Sequence, residues 1–473
     1  MRTHSGGWSW LQLFAVVLAP GCATEIGMDG TTGTLSDVPL LVDRDLDVLF
    51  VVDDSSSMRQ EQEGLAAGFT RFAELLRDHE DTLPDLHIGV VSTNVGTGPD
   101  GGGGDFCLGQ GDDGVLEVPD GCPALTDGSR FISDIESSTG ERETNYGGDL
   151  VDQFACMAQI GVTGCGFEQP LEAMKRALAN DAENSGFLRP AANLAVIVIS
   201  DEDDCSARDR KIFDPTQDDI DSELGQLSSF RCFEFGAACD PVDGGERSLG
   251  QRTNCVAEED SPYLESVASY ADFLRGLKGS PDQVFVATIA GNTSPVTVVQ
   301  DPNLEERVLD PVCLICPGGA HSGCSNAPYD PDGALVAATP AVRLNAFAGE
   351  FGSAGNAQDI CHYDAASDAL DVGISLTNIG EQLVPRIDSI CLDADVLDTD
   401  DGQTGVQAQC EVSEGAAAIP ACSDGGATPC FRIEENAVQC GTTASHLQLF
   451  IERGGAARPA DAELSARCVL TPS

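Results

Sequence analysis

Three short apolar runs recur along this chain, each rich in β-branched residues and each followed at once by polar ones. They are "DVLFVV" (Asp47–Val52), "NLAVIVIS" (Asn193–Ser200) and "QVFVATIA" (Gln283–Ala290). Runs of this length are too short for buried helices and lack the alternation of half-exposed strands, so they fit strands covered on both faces. A fourth strand, "HIGVVS" (His87–Ser92), and a short one at Arg130–Asp134 join them. The intervening segments have helical spacing: Met58–Arg77 brings Leu65, Phe69, Phe72, Leu75 and Leu76 to one side. Further helices are expected at Asp149–Ile160, Gln169–Leu178, Pro262–Leu277, Ala341–Phe351 and Ala365–Leu383. Alternating buried strands and amphipathic helices predict an α/β domain with a central, mostly parallel sheet flanked by helices.

The rest of the chain is organised around cysteine. Of 19 cysteines, six fall between Cys391 and Cys468, where helical patterns give way to short strands such as "HLQLFIER". This predicts a small disulfide-rich β module over residues 389–473, following an α/β domain over 41–388. Cysteine-containing inserts interrupt that domain at about 95–145, 201–260 and 291–340. At the N-terminus, Arg2 precedes an apolar stretch from about Trp10 to Ala19, which reads as a signal peptide (1–22) followed by a polar linker (23–40). Ala19-Pro20-Gly21-Cys22 is similar to a bacterial lipobox, with Cys22 as the lipidation site; plain cleavage after Ala23 is the alternative. Either outcome leaves 18 cysteines and up to nine disulfides in an oxidising compartment. Cys156 and Cys165 are an attractive local pair. The expected location is beyond the inner membrane, as an outer-membrane or cell-surface lipoprotein that meets the membrane only through its anchor.

Charge narrows the partners. With 78 acidic against 25 basic side chains, the formal net charge is −53, spread along the chain. Such a surface repels phosphate backbones, which argues against nucleic acid and for divalent cations.

Two of the predicted strands end in carboxylates, "LFVVDDSSSM" and "VIVISDEDDC". In an open parallel sheet, ligands bind beyond the carboxyl ends of the strands. Asp53, Ser55 and Ser57 form D-x-S-x-S, which aims one carboxylate and two hydroxyls at a point, and Asp201 ends the other strand. An all-oxygen set of this kind suits Mg²⁺ or Ca²⁺. Asp54 and Ser56 are read as spacers that face away.

The D-x-S-x-S after a first buried strand, with a second Asp after "VIVIS", resembles a von Willebrand factor A domain. The resemblance covers about residues 41–388. "DVLFVVDDSSSMRQEQEGLA" and "GCGFEQPLEAMKRAL" also resemble secreted bacterial members, especially cysteine-rich lipoproteins of myxobacteria. It implies a Rossmann-like fold and a metal-ion-dependent adhesion site. Ser55 and Ser57 would be direct ligands, with Asp53 and Asp201 outer or water-mediated. Where the family has a threonine ligand, this chain has Glu168; Thr163 is the nearest hydroxyl and needs a shifted loop. Glu168 is the preferred ligand. It would either tighten the site or take the place of a partner's carboxylate.

Other motifs carry less. Cys313, Cys316, His321 and Cys324 approach a zinc-knuckle spacing, but in an exported chain disulfides explain them better. "YDPDG" (Tyr329–Gly333) and "DADVLDTDDG" (Asp393–Gly402) miss the calcium-loop pattern and read as acidic turns, while Glu202 and Asp203 read as solvated surface. No G-x-S-x-G, H-E-x-x-H, P-loop or dinucleotide fingerprint occurs, and six histidines leave little acid–base equipment. The expectation is a non-enzymatic surface protein that binds a protein or glycan with the help of a divalent cation. The alternatives are a structural envelope protein whose metal only stabilises the fold and, more weakly, a metal-dependent hydrolase.

Overall fold

A computed structural model describes residues 34–77, 82–301, 306–314, 337–361 and 372–399, apart from single positions. In the C-terminal part it describes 406–422, 428–436, 445–452 and 464–471, with short pieces between these ranges. The signal and lipidation segment including Cys22, residues 316–324 of the cysteine cluster and the "YDPDG" turn lie outside the described residues.

The apolar runs form a seven-stranded sheet. Its strands are β1 (Leu46–Val52), β2 (Leu86–Ser92), β3 (Ile132–Glu136), β4 (Arg142–Thr144), β5 (Asn193–Ile199), β6 (Val284–Ala290) and β7 (Gly355–Asp359). The spatial order is β7-β6-β5-β1-β2-β3-β4. The first five are parallel neighbours, and the β3–β4 hairpin adds to the β2 edge antiparallel. Every residue of β1, β2, β5 and β6 is buried, as continuous apolar strands require.

Helices cover both faces because alternate strand residues point to opposite sides. Phe50, Ile88, Ile197 and Phe285 meet α1 (Arg59–Leu76), α2 (Leu150–Met157) and the later helix Val372–Ile387. Leu49, Val91, Val196 and Val286 meet α3 (Pro170–Ala179), α4 (Val267–Leu277) and α5 (Val342–Gly349). We call Val372–Ile387 α6.

The chain runs from β1 to β2 on one side and later returns to β5 on the other, so the strand order switches between β1 and β5. Ligand crevices of open sheets form at this switch. In register, Val52 stands opposite both Ser92 and Ile199. Residues 53, 93 and 200 therefore emerge side by side at one edge.

The inserts gather at that edge. Cys107, Cys165, Phe167, Cys205, Phe213, Cys232 and Leu264 form one small core over it. Gly250–Arg252 pairs with Val296–Gln300, joining the second insert to the third, and Thr339 N donates to Asp201 O at 2.8 Å. The cysteine pairing differs from the sequence expectation: Cys165 bonds Cys107 and Cys156 bonds Cys122. The turn after α2 carries Cys165 away to the crowded sheet edge, where the first insert waits, so closeness in sequence does not become closeness in space.

The C-terminal module consists of two four-stranded sheets stapled by Cys391–Cys440, Cys410–Cys468 and Cys422–Cys430. Each takes an edge strand from the segment expected as linker and domain start. Leu35–Val38 pairs with Leu464–Val469, and Leu40–Asp43 pairs with Ser389–Leu392, both antiparallel.

Candidate metal centre

Leaving β1, Asp53 donates its backbone N–H to Ile199 O at 3.0 Å, which fixes the strand end against β5. Its carboxylate is fully buried and held from two directions. Ser55 N donates to Oδ1 at 2.8 Å, and Ser200 Oγ donates to Oδ2 at 2.6 Å. The turn then brings Ser55 Oγ and Ser57 Oγ within 3.1 Å of each other. Gln62 Nε2 on α1 locks this loop from behind, donating to Asp53 O at 2.9 Å and Gly161 O at 2.7 Å.

Glu168 arrives from the loop before α3. Gln169 N donates to Thr93 O at 3.2 Å and Cys205 N to Glu168 O at 2.7 Å, clamping that loop between β2 and the second insert. The carboxylate is 1% exposed; Oε2 accepts a short hydrogen bond from Thr93 Oγ1 and Oε1 has no protein partner. Carboxylate oxygens of Asp53, Asp54 and Glu168 all lie within 4.8 Å of one another.

Asp54 therefore does not face away as the D-x-S-x-S spacing suggested, although Ser56 is exposed. Its carboxylate packs on Gly164, where an added Cβ would sit 2.1 Å from Oδ1, and its backbone oxygen accepts from Gly164 N at 2.7 Å. The glycine makes the room. Thr163 beside it is exposed and reaches none of these groups through any hydrogen bond the structure shows.

Asp201 follows β5 and is buried, with Oδ1 unpartnered. The acidic run after it is not solvated surface. Asp203 accepts from the backbone N–H groups of Arg343 and Leu344, which caps α5, and Asp204 is buried against the Arg343 guanidinium at 2.9 Å. Glu202 is half-buried, with Ser200 Oγ donating to its backbone oxygen.

Burial, reinforced by Asp53, lifts the carboxyls of Glu168 and Asp201 well above their ordinary range. Burial also raises Asp53, against the pull of its Ser200 and Ser55 hydrogen bonds. Asp54 is pushed up to about 8 by burial and then by Asp53, and Glu202 to about 7 by the same two causes. Several anions forced together out of water are stable only when protons or a cation neutralise them.

The donor set fits a hard cation: carboxylates and hydroxyls, with the buried oxygens Glu168 Oε1, Asp201 Oδ1 and Asp54 Oδ1 lacking hydrogen-bond partners. Three contributors escaped the sequence reading. Thr93 and Ser200 are single hydroxyls at strand ends; the register of β1 with its neighbours is what marks them. Asp54 looked like a spacer.

No family model matches the chain, and no curated protein matches it. Among solved structures it is similar to a pilus adhesin of Lactobacillus rhamnosus GG, at 10% identity and TM-score 0.30, covering 90% of this chain and 38% of that one. It is also similar to a von Willebrand factor type A protein of Catenulispora acidiphila (10%, TM-score 0.26, 93% and 63%). A third is a pilus adhesin of Streptococcus pneumoniae (11%, TM-score 0.26, 92% and 58%). The chain thus spans under two thirds of each of these proteins.

Proposed function

We propose that this is an exported, cell-surface protein with a von Willebrand factor A-like domain, which binds a protein or glycan through a face organised by one divalent cation. It is not an enzyme in this reading, and a lipid at Cys22 anchors it. The observation that carries it is the buried meeting of Asp53, Asp54 and Glu168 beside the paired Ser55 and Ser57 hydroxyls, at the switch point of the sheet. Among the described residues no helix is long and apolar enough to cross a membrane.

The chain's own residues prepare the site before any cation arrives. Ser55 N and Ser200 Oγ fix Asp53, Thr93 Oγ1 fixes Glu168, and Gly164 leaves space for Asp54. A bound cation supplies positive charge to these acids and an electrophilic centre for a partner's oxygen.

The near-complete burial of Glu168 favours a second reading, in which its own carboxylate takes the position of a partner's and the cation only staples the fold. The two separate in one experiment. Melting temperature and binding to an immobilised envelope extract are followed in Mg²⁺, Ca²⁺ and EDTA. A cation at 100 times its dissociation constant adds about 2.7 kcal/mol of stability. Surface binding predicts that both readouts need the cation and that Glu168→Thr increases binding. Cation-dependent melting with cation-independent binding selects the stapling role. No cation effect on either readout ends the site hypothesis.

A further inference from the structure

The loop that carries Glu168 has little structure of its own. Between α2 and α3, "GVTGCGFEQ" (Gly161–Gln169) forms neither helix nor strand, and three of its nine residues are glycine. Near its end a carboxylate is pressed against two others, with oxygens of Asp53, Asp54 and Glu168 within 4.8 Å of one another. Like charges this close repel, and a glycine-rich loop yields readily. What opposes that is a strap to the first insert. Cys165, three residues before Glu168, is bonded to Cys107, and both side chains are buried. Cys107 is fixed in turn to the chain leaving β2: its carbonyl accepts from Thr97 N at 2.7 Å and from Thr97 Oγ1 at 3.0 Å. The same stretch carries Thr93, whose Oγ1 donates to Glu168 and whose carbonyl accepts from Gln169 N. Gln169 Nε2 adds a bond to Gly96 O at 3.1 Å. A closed ring results, running from Thr93 through Thr97, Cys107 and Cys165 to Glu168. The disulfide is its covalent link; the hydrogen bonds around it are each worth little net, because water competes for their groups.

We propose that the Cys107–Cys165 bond positions Glu168, so that cation affinity at the sheet end is coupled to the oxidation of this one disulfide. The inference rests on the reading of the sheet end as a cation site. Reduction by a dithiol such as dithiothreitol breaks the Sγ–Sγ bond and places two electrons and two protons on the cysteines, as two thiols. The dithiol is oxidised to its cyclic disulfide. The freed loop then lets Glu168 retreat from Asp53 and Asp54. Coupling of this kind is reciprocal: whatever factor opening the bond costs in cation affinity, a bound cation opposes opening by the same factor. Other disulfides have no such link. Cys239–Cys255 packs in a separate small core with Phe230, Val296 and Val298, and Cys410–Cys468 lies in the C-terminal module.

The test is calorimetric titration of the whole chain with Mg²⁺ and with Ca²⁺, for wild type and two double variants, alongside the metal-free melting temperature of each. One variant is Cys107→Ala with Cys165→Ala; the control is Cys410→Ala with Cys468→Ala. Both remove a bond of the same span, 58 residues, so a chain-entropy account takes equal stabilisation from each. The first variant should lose cation affinity by about tenfold or more, as when other groups that orient a metal ligand are removed. The control should melt lower with affinity unchanged. Wild-type affinity in the folded Cys107/Cys165 variant overturns the proposal. A second measurement needs no variant, which keeps the test open if that one fails to fold. Wild type is equilibrated in graded dithiothreitol redox buffers with saturating cation or with EDTA, free thiols are alkylated, and each bond is scored by mass spectrometry. The cation should move the midpoint for Cys107–Cys165 toward more reducing buffer and leave that of Cys239–Cys255 in place. An equal shift of both bonds, or of neither, overturns the proposal and leaves the cation site standing. Binding of neither ion by wild type refutes the site itself.

Discussion

Thr93 and His87 sit at opposite ends of β2 and show how single side chains serve the two ends of the sheet. At the carboxyl end, Thr93 Oγ1 is the donor that orients Glu168. Thr93→Val keeps the shape and removes only that hydroxyl. By analogy with other groups that orient metal ligands, it should weaken cation binding by about tenfold. Titration calorimetry reads this directly, and unchanged affinity would show that packing alone positions Glu168. At the amino end, His87 is buried, with Nδ1 2.8 Å from Phe187 O and 3.7 Å from Asp47. Asp47 also binds Arg189 Nε at 2.8 Å and Lys278 at 3.4 Å. Burial and then the Arg189 charge lower the His87 pKa below 6.5. The unfolded chain therefore takes up this proton first. The contribution of neutral His87 to stability is complete above about pH 6.5 and is lost as pH falls toward the lower folded value. His87→Gln should accordingly flatten the fall of melting temperature between about pH 7.5 and 5.5, measured in saturating Ca²⁺. A steeper fall in the variant would contradict the sign. Neither residue was legible beforehand. Asp53, Ser55 and Ser57 share one short motif, whereas Thr93 acquires meaning only from the register of β2 against β1.

At the scale of elements, α1 and α6 approach so closely that side chains are excluded from their crossing. A Cβ on Gly68 would stand 2.4 Å from Gly373 Cα, a contact with backbone that no rotamer change relieves. Gly68→Val should cost more than about 2 kcal/mol, since overpacking forces backbone shifts. Denaturant unfolding would show a lower midpoint. A midpoint within error of wild type would mean that the helices separate freely. This crossing was invisible in sequence, because glycine inside a helical pattern signals only weakened propensity. The strands were easier. Residues 46–52, 193–199 and 284–290 announce themselves because burial on both faces demands continuous apolar runs. The expected single strand at Arg130–Asp134 is instead a hairpin, Ile132–Glu136 with Arg142–Thr144. Its second strand is short and polar, an edge strand that needs no apolar signature.

The whole molecule is tied together by contacts between segments remote in sequence. The loop closed by Cys107–Cys165 spans 58 residues and fastens the first insert beside Glu168. In a chain-entropy account a bond of this span contributes about 4 kcal/mol. Sequence reading can count such cysteines but cannot pair them, because pairing follows the folded path. The same holds for the segment 35–43, whose strand character shows only against partners more than 300 residues away. Its strands cap one edge of each C-terminal sheet, with Leu464–Val469 lying between Leu35–Val38 and Cys410–Glu414. A chain beginning at residue 45 should therefore keep the α/β domain and loosen the module. Hydrogen exchange gives the decisive reading at Cys410–Glu414, which does not touch the deleted strands directly. If the sheet is cooperative, protection there falls by on the order of tenfold or more, while Leu46–Val52 is unchanged. If protection is lost only at Leu464–Val469, the N-terminal strand merely covers an edge, and the module folds without it.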